Sequence, residues 1–255
     1  MAFGYDPRSI KKSSDAKMII AKLMLAETED RQVKLINVYK GVPISHEATV
    51  TKVINDRITL NFHYGQALLL NLEGQTYILS KLFQKPIKAA VMTINTIEQM
   101  AILTNFAYSD PVFRKREYIR VELDYDESPT VIISSPVSNI RLFGKLNDIS
   151  IYGVGVVVIA LQDIIKKSFS ENAEVEVIFS LPVPDKDEIL DLTLWGEIRH
   201  IDRSQENFKL GIQTFPSKKI LPYIQQFVSS RQAQIMNEIE NYSTSLNIGN
   251  WVFPR

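Results

Sequence analysis

The sequence predicts a mainly β protein with two barrel-like β domains in tandem and a helix near the C-terminus. Short runs rich in β-branched residues recur from Val33 to about Phe106 and again from Tyr118 to about Phe215, with polar or turn residues between them. The strand–helix alternation of a doubly wound fold is missing. From Ser217 to about Tyr242 the apolar residues change to a helical spacing of three or four. We therefore expect antiparallel sheets closed into barrels, followed by a helix.

The N-terminal segment begins with a short helix and continues as strands. Ser13, Ser14 and Asp15 are suitable N-caps for a helix over Ala16–Glu29, whose circumference is largely apolar and requires burial or a second chain. Asn55-Asp56 predicts a tight hairpin turn. The predicted strands are Val33–Leu35 with Val38, Ala48–Ile54, Arg57–Phe62, Ala67–Leu72, Thr76–Leu79 and Ala89–Ile94.

The second β segment follows a linker at Tyr108–Val112. Its predicted strands are Tyr118–Leu123, Thr130–Ile133, Ile140–Ile149, Val154–Leu161, Ala173–Leu181, Leu190–Ile201 and Phe208–Phe215, with a short helix near Leu161–Ser168. The run Val154–Ile159 is apolar at every position, which predicts a strand buried on both faces. Pro222 suits the first turn of the C-terminal helix, and the final apolar residues Trp251, Val252 and Phe253 are expected to dock. The predicted domains are 1–110, 111–216 and 217–255.

Composition excludes several kinds of function. The 255 residues include 29 Lys plus Arg, 29 Asp plus Glu and no Cys. A balanced charge argues against a general DNA-binding protein, and the lack of cysteine excludes disulfides, cysteine zinc sites and thiol catalysis. The N-terminus lacks a secretory signal, and no apolar run is long enough to span a bilayer. We therefore expect a cytoplasmic protein that does not cross the membrane.

Two short polar motifs carry the functional information. The first runs from Arg116 to Arg120 as R-x-x-x-R, and the second from Asp148 to Gly153 as D-x-S-x-x-G. On an extended chain or on a helix, an offset of four brings the two arginines together, and their planar forks suit phosphate and the O6/N7 edge of guanine. Asp148 can accept from guanine N1–H and N2–H, Ser150 adds a hydroxyl, and Gly153 lets the backbone approach a ligand.

The ordered pair of motifs resembles the signature of PilZ domains, bacterial receptors for cyclic di-GMP. The resemblance covers about Phe113 to Phe215 and implies a six-stranded β-barrel. It implies that Arg116, Arg120, Asp148, Ser150 and Gly153 contact cyclic di-GMP, with Arg114 and Lys115 beside them. Family members commonly have arginine at the position of Lys115, and this position is linked to whether one or two nucleotides bind. Both numbers are therefore kept as alternatives for this chain. The layout of the N-terminal domain, a split-barrel-like β domain, resembles that of flagellar-brake-type PilZ proteins.

The expected function is that of a receptor without catalysis or cofactor. The three histidines, His46, His63 and His200, form no zinc or triad pattern, and nothing specifies a flavin pocket. We expect cyclic di-GMP to change the arrangement of the two domains and thereby the binding of a protein partner, such as a flagellar motor component, in motility or biofilm regulation. The alternative is a ligand-independent interaction scaffold of the same fold. A homodimer through the apolar N-terminal helix is also left open.

Overall fold

The computed structural model describes residues 16–28, 32–111, 113, 116–160, 162–204, 207–245 and 250–252. The described residues form two compact units. The first unit draws on Met1–Tyr39, Pro43–Glu117 and Ile235–Arg255, and the second on Lys40–Val42 and Tyr118–Gln234. Within these ranges, no helix is long and apolar enough to cross a membrane.

Strands dominate the described chain. In order, its elements are α1 (Ala16–Thr28), β1 (Gln32–Tyr39), β2 (Val42–Ile54), β3 (Arg57–Phe62), a 3-10 turn (Tyr64–Gln66), α2 (Ala67–Glu73), β4 (Gln75–Leu79), β5 (Ile87–Asn95), β6 (Met100–Tyr108), β7 (Val121–Glu122), β8 (Thr130–Ser134), β9 (Arg141–Ser150), β10 (Gly153–Ile159), α3 (Gln162–Ser168), β11 (Glu174–Pro182), β12 (Ile189–Ser204), β13 (Asn207–Thr214), α4 (Leu221–Ser245) and β14 (Asn250–Val252). The predicted mainly β fold is confirmed.

The first unit is a six-stranded antiparallel barrel. Its strands follow the order β5-β4-β1-β2-β3-β6, and pairing of β5 with β6 closes the ring. The predicted hairpin turn is present between β2 and β3, where Asn55 takes a positive φ of 55°. Ile19 and Leu23 of α1 are fully buried in the barrel core. As expected, C-terminal residues dock: β14 pairs with β5 through Trp251↔Ile94. Phe253 lies outside the described residues.

One prediction for this unit is wrong, and one strand is missing from the predictions. Ala67–Leu72, predicted as a strand, is the helix α2, and the strand β6 was not predicted. A short apolar run does not distinguish a buried strand from a buried helix by its pattern alone. Here alanine and leucine favour the helix, and Gly74 ends it with a left-handed φ of 60° while its N–H donates to the carbonyl of Leu70.

The second unit is also a six-stranded antiparallel barrel. Its strands follow the order β10-β13-β12-β11-β8-β9, β10–β9 pairing closes the ring, and β7 adds to β9. The predicted strand Tyr118–Leu123 is correct only for Val121–Glu122. The prediction that Val154–Ile159 is buried on both faces is also wrong, because Val157 is half-buried and Ile159 is 80% exposed on the outer face.

An ion cluster holds the middle of α4 to this barrel. Arg231 on α4 is buried, and its Nη2 donates to Asp124 Oδ2 at 2.7 Å while its Nε donates to the carbonyl of Glu122. Lys40 Nζ lies 2.8 Å from the other oxygen of Asp124. Partial burial opposes ionisation of Asp124, but the hydrogen bonds and charges of Lys40 and Arg231 outweigh it and lower the pKa of Asp124.

Candidate functional site

The second motif lies on the hairpin between β9 and β10. Asp148 and Ser150 end β9, Gly153 begins β10, and Gly153 pairs with Ser150 across a two-residue turn. The Ser150 hydroxyl donates to the carbonyl of Gly153 at 3.2 Å, and Ser150 is 6% exposed. A side chain at Gly153 would approach the carbonyl of Ile212 to 3.2 Å. Ser150 and Gly153 therefore shape the hairpin around Asp148.

Asp148 is a buried carboxylate between two cations. It is 4% exposed, and its Oδ1 lies 3.6 Å from Arg120 Nη1 while its Oδ2 lies 3.1 Å from Lys209 Nζ. Asn147 Nδ2 donates to Oδ2 at 2.9 Å. Oδ1 accepts no hydrogen bond from the described residues, since its approach to Arg120 is too long for one. One carboxylate oxygen therefore keeps unused acceptor capacity.

Arg120 is positioned by its backbone. The next residue, Val121, pairs with Ile149 on β9, so the chain at Arg120 runs beside the β9–β10 hairpin. The turn at Lys40–Gly41 packs on the other side of this backbone, where the N–H of Glu122 donates to the carbonyl of Lys40 at 2.9 Å. Gly41 has a φ of 81°, and any side chain there would clash with the carbonyl oxygen of Arg120. Only glycine allows so close an approach.

A strip without side chains extends from Asp148 across the barrel surface. Gly155 on β10 pairs with Asp148 on one side and with Gly211 on β13 on the other. A methyl group at Gly155 would collide with the Asp148 carboxylate, whose Cγ would lie 2.6 Å away. Lys209 lies two residues before Gly211 on the same face of β13. Gly155 therefore makes room for the carboxylate itself, and Gly211 leaves open backbone near Lys209.

Two tyrosines stand near the ends of the two motifs. Tyr118 precedes Arg120, Tyr152 lies in the β9–β10 turn, and their rings meet edge to face with centroids 4.9 Å apart. Both side chains are partly exposed. The site therefore combines cations, a carboxylate, open backbone and aromatic surface.

The structure brings together only some of the predicted site residues. Arg120, Asp148, Ser150 and Gly153 lie together in the second unit. Residues 116–120 are irregular backbone and bends rather than strand or helix, so neither periodicity argument applies to them. Arg116 belongs to the first unit, in the segment Pro43–Glu117. Arg114 and Lys115 lie outside the described residues.

No family model matches the chain, and no curated protein matches it. Several solved structures do. YcgR from Escherichia coli in complex with c-di-GMP is 13% identical, covers 94% of this chain and 100% of its own, and has a TM-score of 0.39. The Bacillus subtilis inhibitor of motility MotI/DgrA is 13% identical, covers 82% and 97%, and has a TM-score of 0.39. The PilZ domain of Escherichia coli YcgR with c-di-GMP is 12% identical, covers 49% and 98%, and has a TM-score of 0.38. Both YcgR structures contain c-di-GMP, and the second is of its PilZ domain.

Sequence reasoning missed three residues of the site: Lys209, Gly155 and Gly41. Lys209 is 61 positions from Asp148 in the chain, and only the strand order β9-β10-β13 brings the two side chains together. Gly155 lies two residues past the end of the second motif and belongs to neither motif. To find such residues from the sequence, the order of the strands in the sheet must be predicted as well as the strands themselves.

The histidines form no comparable site. His46 and His63 in the first unit stack with ring centroids 4.6 Å apart, and the N–H of Gly65 donates to His63 Nδ1. Burial, followed by the nearby His63, lowers the pKa of His46. In the part of the chain that the structure describes, no group of three or more His, Cys, Asp or Glu residues is arranged to hold a metal.

Proposed function

We propose that the second barrel binds cyclic di-GMP at Asp148, and that the protein is a receptor for this nucleotide rather than an enzyme. The observation that carries the proposal is the buried Asp148 carboxylate, with one oxygen free to accept and with Arg120 and Lys209 beside it. The motif resemblance supports the same ligand. One bound nucleotide requires only this site, and a second would draw on Arg114 to Arg116.

The carboxylate accounts for selection of guanine. Guanine presents two adjacent donors, N1–H and N2–H, that a carboxylate accepts together, whereas adenine presents an acceptor at N1. If adenine N1 faced the buried carboxylate instead, the carboxylate would give up contacts with its present partners and gain no hydrogen bond in return. That loss costs binding free energy. We therefore expect cyclic di-GMP to bind and cyclic di-AMP to bind far more weakly.

The basic residues account for the phosphates and the ring faces. Arg120 and Lys209 are 36% and 42% exposed at their side chains, so both can reach a ligand on the surface. A guanidinium offers paired hydrogen bonds to phosphate and stacks on a base, while the lysine supplies a point charge. Gly211, on the same strand as Lys209, leaves backbone that a flat ligand can approach.

Calorimetric titration with cyclic di-GMP tests the proposal. We expect saturable binding to the unmodified protein, and a loss of at least about tenfold in affinity for Asp148→Ala and for Arg120→Ala, since each removes a charge-assisted contact. Arg57→Ala serves as the matched arginine control, because Arg57 is exposed on the first barrel beside Asp56 and should bind normally. Cyclic di-AMP and a linear guanine dinucleotide complete the ligand series.

The outcomes distinguish the proposal from the scaffold alternative. A protein that binds no cyclic di-GMP would be a scaffold of the same fold, and its melting temperature would not change with nucleotide. Binding that survives Asp148→Ala would place the nucleotide elsewhere. Selective binding to the native state must raise the melting temperature, by an amount equivalent to about 2.7 kcal/mol when the ligand exceeds its Kd a hundredfold.

We further propose that the nucleotide acts in the cytoplasm by altering the arrangement of the two units and the binding of a protein partner. The linkage rests on chain position: Arg120 follows the boundary between the units at Glu117–Tyr118 by only two residues. A ligand that contacts Arg120 more favourably in one arrangement shifts the population toward it. A partner in motility or biofilm regulation, such as a flagellar motor component, fits this role.

A further inference from the structure

A groove in the second unit lies between one face of α4 and two loops of the barrel. The first loop follows β7, and the second joins β11 to β12. The groove has a volume of about 370 Å³, within the range of roughly 300–1,000 Å³ that is typical of ligand-binding pockets. Six of its eleven lining residues are apolar: Leu123, Pro129, Pro182, Val183, Pro184 and Phe227. All eleven belong to the second unit.

Backbone contacts hold the walls of the groove in shape. The β11–β12 loop is a tight turn, in which the N–H of Val183 donates to the carbonyl of Glu188 at 2.9 Å. In the loop after β7, the Ser128 hydroxyl donates to the carbonyl of Asp124 at 3.0 Å. Each of the three prolines in the lining also has a fixed φ. Because the walls are formed in advance, a ligand does not have to order them.

The cation in the lining of the groove is already paired. Arg231 is 7% exposed, and its guanidinium donates to Asp124 Oδ2 and to the carbonyl of Glu122. A third contact joins its Nη1 to Gln234 Oε1 at 3.3 Å. An anionic ligand would have to displace these buried contacts, which costs free energy. Arg231 therefore does not make the groove an anion site.

The exposed charges at the groove are mainly negative. Glu127 stands on one loop and Asp185 on the other, and neither carboxylate has an ion-pair or hydrogen-bond partner among the described residues. The same loops carry further exposed charges at Asp126, Lys186, Asp187 and Glu188. Lys40 adds one surplus cation at Asp124, which does not balance five carboxylates. Since the whole chain has no net charge, the acidic excess belongs to this surface.

We propose that this groove binds an extended basic segment of a partner protein, in which arginine or lysine is interspersed with apolar residues. The apolar side chains pack on Phe227 and the prolines, and the charged heads of the basic residues pair with Glu127 and Asp185. The groove gives a surface to the protein partner of the proposed function, and docking in it requires no nucleotide.

A peptide segment fits the groove better than a small polycation does. A polyamine pairs with the two carboxylates but lacks apolar side chains to cover Phe227 and Leu123. The alkyl stems of arginine and lysine pack on apolar surface while their heads stay at the rim. The carboxylates stand on opposite loops, so the occupant needs cations on both sides of an apolar centre.

Fluorescence polarisation with labelled peptides tests the groove, using the full chain without nucleotide. The probes are peptides of about ten residues with arginine at every second or third position and leucine or proline between. Matched peptides carry glutamate or glutamine in place of arginine. We expect saturable binding of a basic peptide that weakens as the salt concentration rises, and no binding of the glutamate peptides.

Two variants test which residues hold the peptide. Glu127→Gln combined with Asp185→Asn removes both charges at nearly constant shape, and asparagine tolerates the positive φ of 63° at position 185. Phe227→Ala removes the aromatic wall. Each variant should weaken the basic peptide at least about fivefold. Asp163→Asn combined with Glu174→Gln is the matched control, since both carboxylates are exposed in the same unit outside the lining.

A thermal melt checks that each variant is folded, and the binding results then decide. If no basic peptide binds, the docking surface is overturned, whether or not cyclic di-GMP binds at Asp148. Binding that withstands the double charge variant and Phe227→Ala places the peptide elsewhere. Equal binding of the glutamine peptide, or displacement by an equal concentration of spermidine, contradicts the proposed occupant.

Discussion

At the scale of the residue, the candidate site depends on a contact between a glycine and a carboxylate. Gly155 faces Asp148 across the β9–β10 pair, and the space that its side chain would fill is occupied by the Asp148 carboxylate. Lys209, Arg120 and Asn147 hold that carboxylate in place, so it cannot move aside without losing these contacts.

We therefore expect Gly155→Ala to impair ligand binding more than folding. The added methyl group displaces the carboxylate by steric contact, which should weaken cyclic di-GMP at least about tenfold, while the strand tolerates alanine at a cost of about 1–3 kcal/mol. Titration calorimetry and chemical denaturation measure the two effects. Gly65→Ala, in the first unit and away from the site, is the glycine control, since its methyl group would meet only the His46 and His63 rings at 3.2–3.4 Å and should leave ligand binding unchanged. Equal losses for both variants would contradict the assigned contact.

The sequence predicts individual site residues better than their arrangement. Asp148, Ser150 and Gly153 are adjacent in the chain, so one motif identifies all three, and they lie together on one hairpin. Lys209 joins them through pairing of strands that are distant in sequence. Gly41 approaches Arg120 through a turn about 80 residues earlier in the chain. Local patterns carry no information about such pairings.

At the scale of the element, α2 is joined to β1 by a buried polar network. Glu73, at the end of α2, accepts from the N–H of Val38 at 2.9 Å, a position that β4 does not pair. Asn37 donates to the carbonyl of Gln75 and accepts from Gln66 and Thr76, all at 2.7 Å or less. Burial raises the pKa of Glu73 to about 7, although hydrogen bonds from Val38 and Asn37 and the charge of Lys88 oppose the shift.

The raised pKa predicts that Glu73 makes the protein less stable as pH rises. Between the ordinary pKa of 4.5 and the folded pKa of about 7, the folded state binds more protons than the unfolded state, so the free energy of unfolding falls with pH and levels off above 7. We expect Glu73→Gln to be more stable than the unmodified protein by roughly 2–3 kcal/mol at pH 8, and by much less at pH 5. Urea denaturation at the two pH values measures the difference. A Glu73→Gln gain that is equal at both pH values would contradict the assignment.

The element that sequence misassigned belongs to the same network. Ala67–Glu73 contains few polar residues, so the spacing of polar and apolar residues does not distinguish a helix from a strand. A strand of six residues fits this segment as well as two helical turns do. The outcome is decided by tertiary contacts: Leu68, Leu69 and Leu70 are all buried, and a strand would expose alternate residues. Strands with one exposed face, such as β8 and β11, alternate clearly and were predicted within one or two residues.

At the scale of the whole molecule, the described chain contains two barrels of the same strand number, and the second unit carries Arg120 and the motif from Asp148 to Gly153. A nucleotide site in one unit affects the other unit only if the ligand favours one of two arrangements. The first barrel has its own core and its own buried network at Glu73, so the proposed change of arrangement requires no change inside that unit.

The absence of cysteine allows a direct measurement of this change. Cysteines introduced at Ile97 in the first unit and Val137 in the second replace side chains that are 73% and 94% exposed, and can carry a fluorescent donor and acceptor. We expect cyclic di-GMP to change the transfer efficiency, with a concentration dependence that follows the calorimetric affinity. The change should vanish in an Asp148→Ala background, because the ligand then no longer binds. A labelled pair at Ile54 and Ile97, both within the first unit, should report no change. If nucleotide saturates the site without altering transfer between the units, signalling must instead proceed through the surface of the second barrel itself.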